Sequence, residues 1–156
     1  MNETLGLAAE DPPVGLHFRV HGTPTTQGSK RGFINPKTKR VIIVDDNSPA
    51  LKTWRQDVTA AAIEARTEAD PLDVPLKLRA LFMIRRPQAH FGAHGLKASA
   101  PRFSSSAPDL DKLLRALLDA ITISGLWRDD ARVSSISAAK VYSDEPGVEV
   151  WITVAQ

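Results

Sequence analysis

The chain of 156 residues contains no cysteine. That absence excludes a disulfide framework, a thiolate metal site and a thiol nucleophile. No apolar run approaches the roughly 20 residues that a helix needs to cross a bilayer, so we expect no membrane-spanning helix. The first eleven residues also lack the basic start and apolar centre of a secretory signal. Together these absences favour a cytoplasmic protein.

The residues that are present are typical of one folded domain. Hydrophobic residues make up 42% and charged residues 24% of a chain that is long enough for one substantial core. Residues 1–13 are polar and end in Pro12-Pro13, so we expect a flexible tail there and a single domain over residues 14–156. The net charge of +2 and the pI of about 9.1 weakly favour an anionic partner.

Apolar residues in alternation, together with runs of β-branched residues, predict strands. The predicted strands cover residues 16–21, 40–44, 76–84, 133–141 and 148–154. Asn35-Pro-Lys-Thr-Lys predicts a hairpin turn before the second strand, whereas residues 22–33 have the Gly, Pro and Thr content of a loop. Residues 85–107 predict a long irregular connection, and loops of that length are usually functional or mobile.

Two helices are predicted between these strands. Ser48 can cap the first and Pro49 can occupy its first position, and the helix then runs to about Arg66. A wide apolar face predicts the second helix over residues 109–121. The order strand, strand, helix, strand, helix, strand, strand favours an α+β fold, in which two helices pack on a mixed or antiparallel sheet.

One short stretch of this basic chain is acidic. Residues 108–133 contain no glutamate and five aspartates: Asp109, Asp111, Asp119, Asp129 and Asp130. Carboxylates are the hard oxygen ligands that suit Mg²⁺, which keeps several waters and leaves room for a phosphate. A metal-dependent nuclease needs such carboxylates for the ion and Lys and Arg for the DNA backbone.

Asp109 and Asp111 lie where the second predicted helix begins. The first can occupy the non-helical cap and the second the first turn, so both carboxylates can point to one spot beyond the helix end. Capping alone is the alternative role, because Asp is a favoured cap and suits the helix dipole. Asp111, Arg115 and Asp119 recur every four residues on one face, where Asp119 can equally be a salt-bridge partner of Arg115.

Asp129 and Asp130 follow a glycine turn and precede a predicted strand. Bonding to the local backbone in a turn explains one of the two aspartates but not both. Asp130 directly precedes the strand, where a carboxylate can be held rigidly.

Basic residues are the candidates for contact with DNA phosphates, although a solvated loop surface is the alternative for those in loops. The residues that we expect to bind nucleic acid are Lys30, Arg31, Arg85, Arg86, Lys112 and Lys140. Lys30, Arg115 and Lys140 could each stabilise a phosphate electrostatically, and the sequence does not choose among them. Phe91 and Phe103 could stack on opened bases or could fold back on the core.

The acidic motif has a specific resemblance. Pro108-Asp-Leu-Asp-Lys-Leu-Leu-Arg-Ala-Leu-Leu-Asp-Ala, followed by Gly125-Leu-Trp-Arg-Asp-Asp-Ala-Arg-Val, resembles the RusA family of Holliday junction resolvases. Gly22-Thr-Pro-Thr-Thr-Gln-Gly-Ser-Lys-Arg is similar to the early basic loop of that family. The resemblance implies a RusA-like fold and a homodimer encoded by a bacterium or its phage. It also implies a Mg²⁺-dependent endodeoxyribonuclease, with Mn²⁺ as a substitute ion, that acts on four-way junctions and other branched DNA.

The resemblance also assigns site residues. The family's essential acidic residues, which would hold the metal, fall on Asp109, Asp111 and Asp130, and its aspartate inside the helix falls on Asp119. Arg115 stands where members carry a basic residue, often lysine, and we expect it to be catalytic together with Asp109, Asp111 and Asp130. Ala107 is a departure, because members often have lysine before the Pro-Asp pair.

Two other interpretations compete with a nuclease. One is a non-catalytic protein that binds branched DNA, with a structural metal or none. The other is a binding module in which the aspartates only cap helices and form ion pairs. The two-part acidic motif favours the nuclease.

Overall fold

The computed structural model describes residues 15–28, 31–44 and 48–156, so the predicted tail and Lys30 lie outside the described residues. Two helices separate three groups of strands along the described chain. They are β1 (Leu16–His21), β2 (Arg31–Ile34), β3 (Val41–Val44), α1 (Pro49–Ala65), β4 (Leu76–Ile84), β5 (Phe91–Gly92), β6 (Gly95–Leu96), α2 (Leu110–Ser124), β7 (Val133–Tyr142) and β8 (Gly147–Val154). None of the helices in these ranges is long and apolar enough to cross a membrane.

The main sheet has four strands in the order β1-β8-β4-β7. β8 is antiparallel to both β1 and β4, whereas β7 is parallel to β4. The sheet is therefore mixed, and the α+β prediction is confirmed. β4 lies between β7 and β8, so the turn that joins these strands passes the end of β4, where the Ser143 amide donates to the Ile84 carbonyl at 2.9 Å.

One hydrophobic core joins the sheet and the two helices. Every second residue of β4 from Leu76 to Phe82 is at most 2% exposed, as the two-residue period of a strand with one buried face requires. The helices contribute buried residues at helical spacing, among them Trp54 and Val58 of α1 and Leu113, Leu117 and Ile121 of α2. α1 and α2 also contact each other. The side chains of Asp109 and Lys112 at the start of α2 are exposed to solvent.

The helix boundaries follow local capping chemistry. Ser48 Oγ accepts a hydrogen bond from the Leu51 amide at 3.2 Å, and Pro49 is the first residue of α1, as predicted. α2 starts at Leu110 and ends where Gly125 adopts φ 72°, a left-handed conformation that favours glycine. The second helix is therefore three residues longer at its C-terminal end than predicted.

Two short ribbons differ from the sequence prediction. β2 lies in a stretch predicted as loop, but it pairs with β3 in a two-stranded ribbon outside the main sheet. The predicted hairpin turn between them is confirmed, because Asn35 Oδ1 accepts from the Lys37 and Thr38 amides. The long connection over residues 85–107 contains a single 3₁₀ turn and the two-residue hairpin β5–β6. The strand predicted over residues 40–44 is confirmed as β3. β2, β5 and β6 were not predicted, because each has only two to four residues, one of them glycine, and shows no clear alternating pattern.

Candidate active site

Asp109 occupies the N-cap of α2 without capping the helix through its side chain. Its backbone is extended, with φ −72° and ψ 132°, and its carbonyl accepts from the Leu113 amide at 3.0 Å. The carboxylate forms an ion pair with Lys112 Nζ at 3.3 Å, and the side chain is 58% exposed. Capping therefore does not account for this carboxylate, which is accessible to a ligand.

Asp111 and Arg115 extend the exposed surface at the start of α2. Asp111 lies in the first turn and Arg115 one turn further along, and both residues are exposed. No hydrogen bond or ion pair joins the Asp111 carboxylate to another residue of the described ranges. An acidic group in the first turn also interacts favourably with the helix dipole, so Asp111 stabilises the helix and remains hydrated.

Asp119 binds the early loop. Gln27 Nε2 donates to Asp119 Oδ2 at 2.6 Å, and the Gln27 amide donates to the Lys112 carbonyl at 3.2 Å. The loop over residues 22–28 is therefore attached to α2 near the acidic motif. From the sequence alone, Asp119 was either a site residue or a salt-bridge partner of Arg115, and its contact with Gln27 was not expected.

The second half of the motif forms a single 3₁₀ turn over Asp130–Arg132. Asp129 precedes the turn, and its Oδ1 accepts from the Ala131 amide at 2.9 Å, which is the local backbone bond expected for one of the two aspartates. Asp130 is exposed, and no described residue forms a hydrogen bond or ion pair with its carboxylate. Asp129 therefore has a structural role in the turn, whereas the carboxylate of Asp130 is accessible to a ligand.

Asp73 fixes the residues on both sides of this aspartate pair. Its carboxylate accepts from Arg132 Nε at 2.5 Å and from Arg128 Nη1 at 3.0 Å. The hydrogen bond from Arg132, followed by the one from Arg128, lowers the pKa of Asp73 below its ordinary value. Leu72 pairs with Trp127 through the backbone, so the connection before β4 positions the whole turn.

The two halves of the motif lie at opposite ends of α2. Asp109 is at the N-terminal end, whereas the Asp130 turn follows the C-terminal end, where Trp127 Nε1 donates to Thr122 Oγ1 at 2.8 Å. A helix of 15 residues is about 22 Å long. The structure therefore does not bring Asp130 beside Asp109 and Asp111 within one chain.

The basic residues predicted to bind DNA have different surroundings. Arg85 is exposed directly after β4, and Lys112 is ion-paired with Asp109. Arg86 donates to the Pro101 carbonyl at 2.8 Å and lies over the ring of Tyr142, at 5.3 Å from its centroid. Arg31 begins β2, and its side chain, like all of Lys30, lies outside the described residues.

Lys140 is engaged with the segment before α2. Its Nζ donates to the carbonyl groups of Ser106 and Pro108, both at 2.7 Å. Tyr142, two residues further along β7, contacts the same segment through Ser106 Oγ at 3.4 Å. Hydrogen bonds with Ser104 and Ser106, and then the positive charges of Lys140 and Arg86, lower the pKa of Tyr142 below its ordinary value.

Three residues that hold the site in place were missed by sequence reasoning: Gln27, Asp73 and Tyr142. Gln27 lies within the loop that resembles the family, which was the available signal. Asp73 lies 36 residues before Asp109 in the chain, and Tyr142 lies 33 residues after it. No local pattern connects them to the motif, because their role arises from β4 and β7 being neighbours in the sheet.

Asp109 and Asp111 suit a hard divalent cation in donor type and in exposure. In proteins Mg²⁺ is commonly held by one or two carboxylates, while waters and phosphate oxygens complete its shell. Over residues 15–28, 31–44 and 48–156, no three His, Asp or Glu side chains form a group that could hold one metal ion. The start of α2 therefore presents two exposed carboxylates of the type that suits such an ion.

Comparison with known proteins identifies the family. The family model described as Endodeoxyribonuclease RusA matches residues 22–153, which include the early loop, both halves of the acidic motif and Lys140. A similar protein, the uncharacterized protein YqaN of Bacillus subtilis (strain 168), is 28% identical over 141 residues, which cover 88% of this chain and 94% of YqaN. The match spans nearly all of the folded chain, and this protein therefore belongs to the RusA endodeoxyribonuclease family.

Proposed function

We propose that this protein is a Mg²⁺-dependent, structure-selective endodeoxyribonuclease that resolves four-way DNA junctions and acts on other branched DNA. Membership of the RusA family supports a nuclease. The observation that carries the proposal is the state of Asp109: it stands at a capping position, but its carboxylate is exposed and caps nothing. A purely structural aspartate would use its carboxylate there.

The proposed chemistry is hydrolysis of a phosphodiester, in which water attacks phosphorus and a 3′-oxygen leaves. Asp109, Asp111 and Asp130 are the proposed metal ligands, and Mn²⁺ would substitute for Mg²⁺. When bound, the ion would lower the pKa of a water and neutralise charge on the phosphate. Lys112 and Arg115 keep positive charge on the exposed face beside these carboxylates, where they would attract and orient the DNA backbone.

A homodimer is part of the proposal. A four-way junction has two-fold symmetry, and its resolution needs two symmetric cuts, which two equivalent subunits supply. The position of Asp130 gives a second reason, because this carboxylate follows the C-terminal end of α2, whereas Asp109 is at the N-terminal end in the same chain. In a two-fold dimer, Asp130 of one copy can serve the helix start of the other.

The first test is cleavage of a labelled four-way junction with Mg²⁺ and, in parallel, with EDTA. We expect paired symmetric nicks that require Mg²⁺ and that Asp111→Asn abolishes. Asp70→Asn makes the same chemical change at an exposed position outside the acidic motif and is expected to leave cleavage intact. Tight binding to the junction without cleavage in Mg²⁺ or Mn²⁺ would instead establish a non-catalytic branched-DNA-binding protein.

A further inference from the structure

The chain that leads into α2 runs along the open edge of β7. The Tyr142 amide donates to the Arg102 carbonyl at 2.9 Å, and the Ser104 amide donates to the Lys140 carbonyl at 3.2 Å. Phe103 and Val141 pair as an antiparallel bridge between these two bonds. The end of β7 therefore holds the backbone of residues 102–104, but these bonds stop before the motif begins.

The Lys140 side chain continues this attachment towards the motif. Its Nζ donates at 2.7 Å to the carbonyls of Ser106 and Pro108, and the residue is partly buried. An ammonium group has three N–H donors, so two of them are committed to the protein itself. A lysine that contacts DNA as a flexible point charge has no need of such fixed bonds.

Asp109 follows Pro108 directly and forms no capping bond of its own. Its carboxylate pairs with Lys112 at 3.3 Å, so its direction depends on that exposed ion pair and on how the backbone approaches the helix. The Pro108 carbonyl belongs to the peptide group that ends at the Asp109 nitrogen, so a bond to this carbonyl orients that peptide.

We infer that Lys140 is a positioning residue for Asp109: its ammonium fixes the peptide groups before α2 and so sets the direction of the carboxylate. The inference rests on the proposed function, since the consequence for catalysis requires Asp109 to act in cleavage. It replaces direct contact with DNA phosphate as the role of Lys140. Arginine at this position would retain the donors, whereas methionine would retain the apolar stem and remove them.

Two measurements separate positioning from phosphate contact. Hydrogen exchange of peptides that cover residues 104–112, followed by mass spectrometry in the free protein, reports the order of the segment. Junction affinity in EDTA and single-turnover cleavage in Mg²⁺ report the two steps of the reaction. The variants are Lys140→Met, Lys140→Arg and Lys140→Gln, and Lys77→Met is the matched control because Lys77 is exposed on β4.

For Lys140→Met we expect exchange in this segment to be about tenfold faster, because its local opening becomes easier. We also expect cleavage to fall by roughly 100-fold, as a misplaced catalytic group predicts. Junction affinity should stay within about twofold, because no phosphate contact has been lost. Lys140→Arg should restore protection and most of the cleavage, and Lys77→Met should match the wild type. Lys140→Gln provides the comparison if the methionine variant loses its fold.

Unchanged exchange in Lys140→Met and Lys140→Gln would overturn the inference. So would weaker junction binding with a salt dependence reduced by about one ion, because that result identifies a phosphate contact. If the wild type does not cut a junction, the proposed function fails. The exchange data alone then decide whether Lys140 orders the segment.

Discussion

Asp109 occupies a position where aspartate is common for structural reasons, yet it makes no side-chain bond to the amides that such residues usually cap. Asparagine and aspartate are about equally good caps, so exchanging one for the other changes the charge and leaves the backbone preference almost unaltered. This site therefore allows function to be separated from stability within a single residue.

We predict that Asp109→Asn abolishes junction cleavage and changes the free energy of unfolding by less than about 0.5 kcal/mol, because asparagine suits the N-cap position equally well and the exposed ion pair with Lys112 contributes little. Cleavage assays and urea denaturation measure the two quantities. A loss of stability above about 1 kcal/mol would show that the negative charge itself has a structural role, through Lys112 or the helix dipole.

Gln27 is a second residue whose role is decided by one contact. Its side-chain amide donates to the Asp119 carboxylate at 2.6 Å. Hydrogen bonds to charged groups contribute about 1.5–3 kcal/mol to stability. We predict that Gln27→Ala lowers the free energy of unfolding by about that amount. Gln56→Ala, an exposed change on α1, should have almost no effect in the same urea titration. Equal stability of the two variants would mean that the early loop is not held by this bond.

At the scale of elements, the turn over Asp130–Arg132 depends on the connection before β4. Asp73 bonds Arg128 and Arg132, and its pKa is lowered by both. A carboxyl with a lowered pKa in the folded state stabilises the fold above its unfolded pKa, and the contribution is lost as the pH falls through the folded pKa.

We therefore predict that Asp73→Asn lowers the Tm at pH 7 and that the difference from the wild type shrinks below the ordinary pKa of 3.8. Thermal unfolding of both proteins between pH 7 and pH 3 measures this effect. A difference in Tm that stays constant over the whole range would show that the charge of Asp73 does not stabilise the turn.

Sequence patterns predicted the elements that carry a long apolar period. β1, β4, β8 and both helices were found at or within a few residues of the predicted bounds, because each buries one face in the core. β7 was also found close to its predicted bounds, although residues 134–137 are exposed. β2 was not predicted because it is short and contains Gly32, and polar residues precede it. It is a strand because it pairs with β3, which follows the next turn. Strand order was also beyond the sequence, since the placement of β4 between β7 and β8 depends on packing.

The sequence predicted the site unevenly for a related reason. Both halves of the acidic motif are contiguous in the chain, so their residue types and order could be read directly. The sequence did not predict that the two halves lie at opposite ends of α2, because this depends on where the helix ends and how the turn packs against it. The contacts of Gln27, Asp73 and Lys140 all link distant segments, and a single sequence contains no record of them.

At the scale of the whole molecule, the distance between Asp109 and Asp130 distinguishes two kinds of dimer. If each site used carboxylates of one chain, a mixed dimer of Asp109→Asn and Asp130→Asn would contain no intact site. If each site takes Asp130 from the second copy, the same mixed dimer contains one intact site.

We predict that Asp109→Asn and Asp130→Asn are each inactive and that mixing them, with exchange of subunits, restores single-strand nicking of the junction. Gel analysis of nicked and fully resolved products measures the outcome. Mixing Asp109→Asn with Asp111→Asn is the matched control and should restore nothing, because both changes affect the same helix start. Absence of recovery in both mixtures would place the site within one chain.

The stretch from Asp109 to Lys140 consists of α2, a short connection that ends in the 3₁₀ turn over Asp130–Arg132, and most of β7. One extra residue in α2 would rotate the following side chains by about 100°, and one in β7 would turn them to the other face of the sheet. This stretch must therefore keep its length as the protein diverges. The Ala93-His94 turn between β5 and β6 has no such restriction, so a peptide tag inserted there would leave the spacing of the carboxylates unchanged.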